Sequence, residues 1–130
     1  VDPHLSNFFV GGETNNVILV GQAGSAALTH WAAMGFRVAP EAFSDRRYEP
    51  DGSLRARTLP GAVLHDPAEA AAQALRLATG EGVVASNGAV VPVTARTLCV
   101  HSDSPGAVAI ARAVRLALEQ AGLGPATLQM

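Results

Sequence analysis

Residues 96–122, R-T-L-C-V-H-S-D-S-P-G-A-V-A-I-A-R-A-V-R-L-A-L-E-Q-A-G, run from a short β-prone stretch directly into a long amphipathic one. Thr97 to Val100 are apolar or β-branched without clear alternation, the pattern of a parallel strand covered on both faces. Ser104 suits a helix N-cap and Pro105 a first helical position, so a helix is predicted to begin there. Ala107, Ile110, Ala111, Val114, Leu118 and Ala121 then share one face, Arg112, Arg115 and Glu119 share the other, and Gly122 ends the helix. A parallel strand feeding a helix implies an α/β fold, in which ligands bind at the C-terminal ends of strands. His101 and Asp103 occupy that junction.

The same pattern recurs upstream. Val17 to Val20 reads as a strand, Gly21 to Ser25 as a turn, and Ala26 to Met34 as a helix closed by Gly35. The G-x-x-G-S turn lacks the G-K-[ST] of a phosphate-binding loop and is read as a tight connection. Phe36 to Ala39 gives the next strand, stopped by Pro40. Glu41, Asp45 and Arg46 follow, either as a solvated loop with a surface ion pair or as part of a site. Arg55 and Arg57 are candidate anion contacts, with plain exposure as the default. Asp66, Pro67 and Glu69 form a cap, first-turn proline and capping-box pattern for a helix to Ala78, with His65 just before it. Val83 to Val93, around Asn87-Gly88, predicts a hairpin with a type I′ turn, and Pro92 marks its strand as an edge. Residues 1–16 sustain no period and 123–130 read as a tail, so the chain is one domain.

Composition narrows the function classes. With a net charge of −2, the chain has no broad basic surface, which argues against nucleic-acid binding. No apolar run approaches the ~18 residues of a membrane span. The N-terminus lacks a basic region followed by an apolar core, which points to the cytoplasm. A lone cysteine, Cys99, in a predicted buried strand reads as a small inert hydrophobe.

Three blocks carry a resemblance: E-A-F-S-D-R-R-Y at 41–48, L-P-G-A-V-L-H-D-P at 59–67 and C-V-H-S-D-S-P-G-A-V-A-I-A-R-A-V-R at 99–115. In this order they resemble the LamB/YcsF family, the A component of bacterial ATP-dependent 5-oxoprolinase. The resemblance implies a partial (β/α) barrel of parallel strands, similar to the C-terminal half of a seven-stranded deacetylase-like barrel, plus the hairpin. The family's N-terminal strands, with an Asp-Asn motif and two His-containing motifs, have no counterpart here. Its H-G-D is H-S-D, with Ser102 in place of a glycine. Val1, Pro3 and His4 echo another family strand end, though His4 is read as a tail histidine.

The implied activity opens 5-oxo-L-proline to L-glutamate with ATP as co-substrate, together with B and C subunits and as a homo-oligomer. His101 is then expected as acid/base, Asp103 as its orienting or substrate-binding partner, and Glu41, Asp45 and Arg46 as substrate contacts. Two alternatives stand beside this reading. One is a non-catalytic truncated relative acting as an oligomeric or binding module. The other is a metal-dependent deacetylase-like hydrolase with ligands drawn from His101, Asp103, His65 and His4, although no paired-cysteine or H-E-x-x-H spacing supports a metal.

Overall fold

The structure, a computed structural model, describes residues 16–129. Strand β1 (Ile18–Gln22) leads to helix α1 (Ala26–Ala33), and strand β2 (Arg37–Phe43) leads through a long loop to helix α2 (Pro67–Ala78). A hairpin of β3 (Val83–Val84) and β4 (Val90–Val91) follows, then β5 (Thr97–Cys99) and helix α3 (Ala107–Gln120). The main sheet has the order β1-β2-β5 with every pair parallel, and β3-β4 is antiparallel. Among the described residues, no helix is long and apolar enough to cross a membrane.

Helix boundaries follow local chemistry in two cases and depart from it in one. Ser25 caps α1 by accepting from the Leu28 amide, and Asp66 caps α2 by accepting from Ala68 at 3.0 Å, with Pro67 in the first turn. Glu69 turns away from the capping-box role and pairs with Arg47. Helix α3 starts two residues later than predicted: Ser104 and Pro105 lie in turns, and the N-cap is Gly106 in the left-handed region. The Ala107 amide bonds to the Ser104 carbonyl, so backbone does the work expected of the serine hydroxyl.

Two expectations about the strands are also corrected. Strand β2 runs through Pro40 to Phe43. The Pro40 carbonyl accepts from Arg96 at 2.8 Å on the β5 side, and the β5 ladder begins only opposite Glu41. The missing N–H therefore falls just before pairing starts, where no ladder bond is lost. The hairpin loop is longer than a type I′ turn, since Val84 pairs with Val90. Only Gly88 has a positive φ there, whereas a type I′ turn also needs one at Asn87.

Register shows how the layers stack. Gly21 pairs with Pro40, and Ala42 with Leu98. A Cβ on Gly21 would lie 2.9 Å from Trp31 and 3.1 Å from Leu28, so α1 rests directly on the strand backbone. Leu98 and Val100 pack against the cluster of Leu64, Ala70, Ala74, Ile110 and Val114 between α2 and α3. Ala42 joins Tyr48, Leu77 and Val83 in a second cluster. Side chains alternate along a strand, so Gly21, Pro40, Ala42 and Leu98 share one face and all three helices lie on it. Thr97, Cys99, Glu41 and Phe43 belong to the other face and are half-buried. Strand β5 is thus not covered on both faces as its sequence suggested.

Alanine at 70 and 74 lets α2 and α3 approach closely, and Ile110 fills the contact at 1% exposure. Ile110→Ala is expected to destabilise the chain by about 2–4 kcal/mol in urea unfolding. Leu116→Ala, on the 55% exposed face, should change stability by under ~0.5 kcal/mol. Equal effects would contradict this placement of the core.

Candidate active site

The parallel ladder between β2 and β5 sets the site's geometry. Phe43 pairs with Cys99, and the Ser44 amide extends the pairing by donating to the Cys99 carbonyl at 3.0 Å. One step further, Asp45 meets His101. The His101 amide donates to Asp45 Oδ2 at 2.9 Å, and His101 Nδ1 lies 2.9 Å from Asp45 Oδ1. The Asp45 side chain is 1% exposed and that of His101 is 24% exposed. Phe43 stacks on the imidazole with centroids 5.7 Å apart and planes 17° apart.

These contacts fix the ring and its tautomer. A carboxylate can only accept, so with Asp45 ionised the shared hydrogen resides on Nδ1 and the lone pair on Nε2. Nε2 has no partner among the described residues. The arrangement is a half-buried histidine oriented by a buried carboxylate, which is competent for proton transfer at Nε2.

The candidate residues do not all gather here. Asp103 and Ser102 are exposed, and the orienting position expected of Asp103 is held by Asp45. Asp45 in turn has both carboxylate oxygens engaged by His101, which differs from the substrate contact expected of it. Arg46 is drawn inward at 8% exposure, with Nε on the Ala62 carbonyl at 3.2 Å and Nη2 on the Arg55 carbonyl at 2.7 Å. It staples the loop rather than facing outward as a substrate contact. Burial, followed by the nearby Arg57 charge, lowers its guanidinium pKa. Glu41 is half-buried and accepts weakly from Thr97 Oγ1 at 3.4 Å. Arg55 pairs with Glu49 at 2.9 Å and donates to the Pro60 carbonyl, so it is not an idle rim cation.

The remaining candidates lie apart. His65 is exposed, and His4 lies outside the described residues. No group of three or more His, Cys, Asp or Glu among the described residues is placed to hold a metal ion. The Cys99 thiol is pushed up by burial and then by the Glu41 and Asp45 carboxylates, which keeps it protonated and poorly nucleophilic.

Three supporting residues were not singled out by the sequence. Phe43 forms the floor under His101, and its amide donates to the Tyr48 hydroxyl at 3.0 Å. Gln73, buried on α2, reaches under the same turn. The alternation Phe43–Asp45 against Cys99–His101 is the one signal that pointed to such a pairing, and it is readable only once β2 is known to pass through Pro40.

Fold and site define a parallel α/β protein with a carboxylate-oriented histidine at the C-terminal ends of adjacent strands. The LamB/YcsF family model matches residues 9–130, and the chain belongs to that family. It is 47% identical over 105 residues to the 5-oxoprolinase A component of Streptomyces griseus, covering 81% of this chain and 42% of that one. It is 51% identical over 109 residues to the 5-oxoprolinase A component of Paracidovorax citrulli, covering 83% and 43%. The crystal structure of a lactam utilization protein from Thermus thermophilus matches with a TM-score of 0.77 and 44% identity, covering 82% of this chain and 42% of that one. The chain thus spans less than half the length of these relatives.

Tyr48 offers a check on the closed turn. It is 1% exposed, and burial raises its pKa above the ordinary 10.0 even though the Phe43 amide favours the phenolate. The unfolded chain then releases this proton first, so stability is full below pH ~10 and declines as pH rises through the folded-state value. Tyr48 is the one tyrosine in the chain, so tyrosinate absorbance reports it alone. Its folded midpoint is expected above the midpoint measured in urea, and coincident midpoints would mean that the phenol is not buried.

Proposed function

We propose that this chain supplies the histidine-bearing part of a 5-oxoprolinase A component, which opens the lactam of 5-oxo-L-proline to L-glutamate with ATP as co-substrate and B and C subunits as partners. The observation that carries the reading is the Asp45–His101 pair, with both contacts at 2.9 Å. The 5-oxoprolinase and lactam utilization relatives supply the substrate class.

A lactam carbonyl is a poor electrophile because the ring nitrogen donates into it. Phosphorylation of its oxygen by ATP would remove that protection. His101 Nε2 would take a proton from the attacking water, and Asp45 would stabilise the resulting imidazolium through Nδ1. The protonated ring would then return the proton to the departing nitrogen, which leaves as the amine of γ-glutamyl phosphate, and a second water would hydrolyse that acyl phosphate to glutamate and inorganic phosphate. Glu41, half-buried on the same sheet face, would accept from the lactam N–H of the substrate.

His101→Ala is expected to lower kcat of the assembled enzyme by about 10²–10⁴-fold, the usual worth of a positioned acid/base. Circular dichroism should stay that of a folded chain, with the unfolding midpoint lowered because buried Asp45 loses its side-chain partner. Unchanged turnover in a folded variant would sink the assignment.

The same reading takes the three-stranded sheet as part of a larger β/α barrel. Strands β1 and β5 each have one unpaired edge among the described residues, and such edges recruit other chains. Light scattering of this chain should therefore give a molar mass of a dimer or more. A strictly monomeric solution would count against an oligomer of this kind.

A further inference from the structure

The buried face of α2 is apolar at Ala70, Ala71, Ala74 and Leu77, with one exception, Gln73 at 7% exposure. A primary amide in such a place costs stability unless its hydrogen bonds are made. Gln73 makes them in an unusual direction. Its Nε2 donates to the Phe43 carbonyl at 2.8 Å and the Arg46 carbonyl at 2.7 Å, with the Ser44 carbonyl at 3.4 Å. All three neighbours are acceptors, so the nitrogen must face them and the flipped amide is excluded.

Those three carbonyls flank Asp45 on both sides. The Asp45 carbonyl is itself held by the Leu64 amide at 2.8 Å. One side-chain nitrogen thus anchors the chain on both sides of the residue that orients His101, through the Phe43 and Arg46 carbonyls and more weakly the Ser44 carbonyl, while Leu64 holds the peptide plane just after Asp45; together these fix the direction of the Asp45 Cα–Cβ bond. No repeating ladder fixes this turn, because β2 ends at Phe43.

We propose that Gln73 is a positioning residue, which acts through the 43–46 turn to hold Asp45 on Nδ1 of His101 and so keeps the basic lone pair on Nε2. The inference rests on the catalytic reading of His101 only for its effect on turnover. Its effect on the histidine is independent of that reading.

The test compares the parent with Gln73→Met, which keeps length and volume and removes the donor, in protein labelled with ¹⁵N-histidine. In the parent, the neutral His101 ring should be held as the Nδ1–H tautomer. In Gln73→Met the Nε2–H tautomer should become substantially populated, and kcat of the assembled enzyme should fall about 10–100-fold, as is usual when a group orienting a functional histidine is removed. KM should change by less than about threefold. Gln73→Asn, which keeps an amide but is one methylene too short, should show the same tautomer change.

An unchanged tautomer in a folded Gln73→Met overturns the inference. A changed tautomer with unchanged kcat upholds it and removes His101 from the chemistry instead. If neither variant folds, the parent still decides. The Gln73 side-chain N–H protons should exchange with solvent far more slowly than those of an exposed amide, and should show scalar coupling across the hydrogen bonds to the Phe43 and Arg46 carbonyls. Rapid exchange without coupling overturns the inference.

Discussion

The registration of β5 against β2 is the constraint from which the rest of the site follows. In a parallel ladder, residues beyond paired positions continue to face each other at nearly constant offset. Phe43 opposite Cys99 therefore carries Asp45 toward His101, although 56 residues separate them in the chain. A shift of one position would send either residue to the helix-covered face. The register is in turn secured on that face by Ala42 and Leu98, which pair directly and pack into the helix clusters.

Around this ladder the polypeptide meets a difficulty of its own making. The connection from Phe43 to Pro67 has little regular structure, yet it passes through the interior, with Ser44, Asp45, Arg46, Ala62 and Leu64 all buried. Buried backbone in an irregular segment must find partners outside a ladder. Side chains provide several of them: Arg46 for the carbonyls of Ala62 and Arg55, Gln73 for those flanking Asp45, and Tyr48 for the Phe43 amide. Short backbone pairings such as Arg47 to Ala62 and Leu64 to Asp45 supply others. Arg46, which looks functional in the sequence, thus serves as loop scaffolding.

Much of the fold was legible because its signals are local. Asp66-Pro67 and Ser25 fix helix starts through short-range capping, and both helices begin where their caps place them. Two of the departures arise because strand pairing outranks local preference. Pro40 reads as a strand stop but sits where its missing N–H is not needed, and Asn87-Gly88 reads as a two-residue turn but closes a longer loop. Ser104-Pro105 reads as a helix start but is spent in turns ahead of Gly106. For the site, His101 was legible as a polar residue at a strand end. Its partner was not, because spacing along the chain favours Asp103 and only the ladder brings Asp45 to the ring. Gln73 was invisible for the opposite reason: in sequence it is one more polar residue on an alanine-rich helix.

The sheet's two faces place separate physical demands on their residues. Residues on the helix-facing side, such as Gly21, Ala42 and Leu98, are limited in volume, since a methyl added at Gly21 meets Trp31 and the other two pack into the helix clusters. Residues on the opposite side, including Glu41, Thr97 and Phe43, are only half-buried and belong to neither helix cluster. A substitution on one side therefore leaves packing on the other largely untouched. The turn at 43–46 is where this independence fails, because the Gln73 side chain on the helix side reaches the backbone that carries Asp45 to the opposite face. Substitution has the widest freedom upstream of that crossing, along the edge strand β1, where Val20 stands 43% exposed.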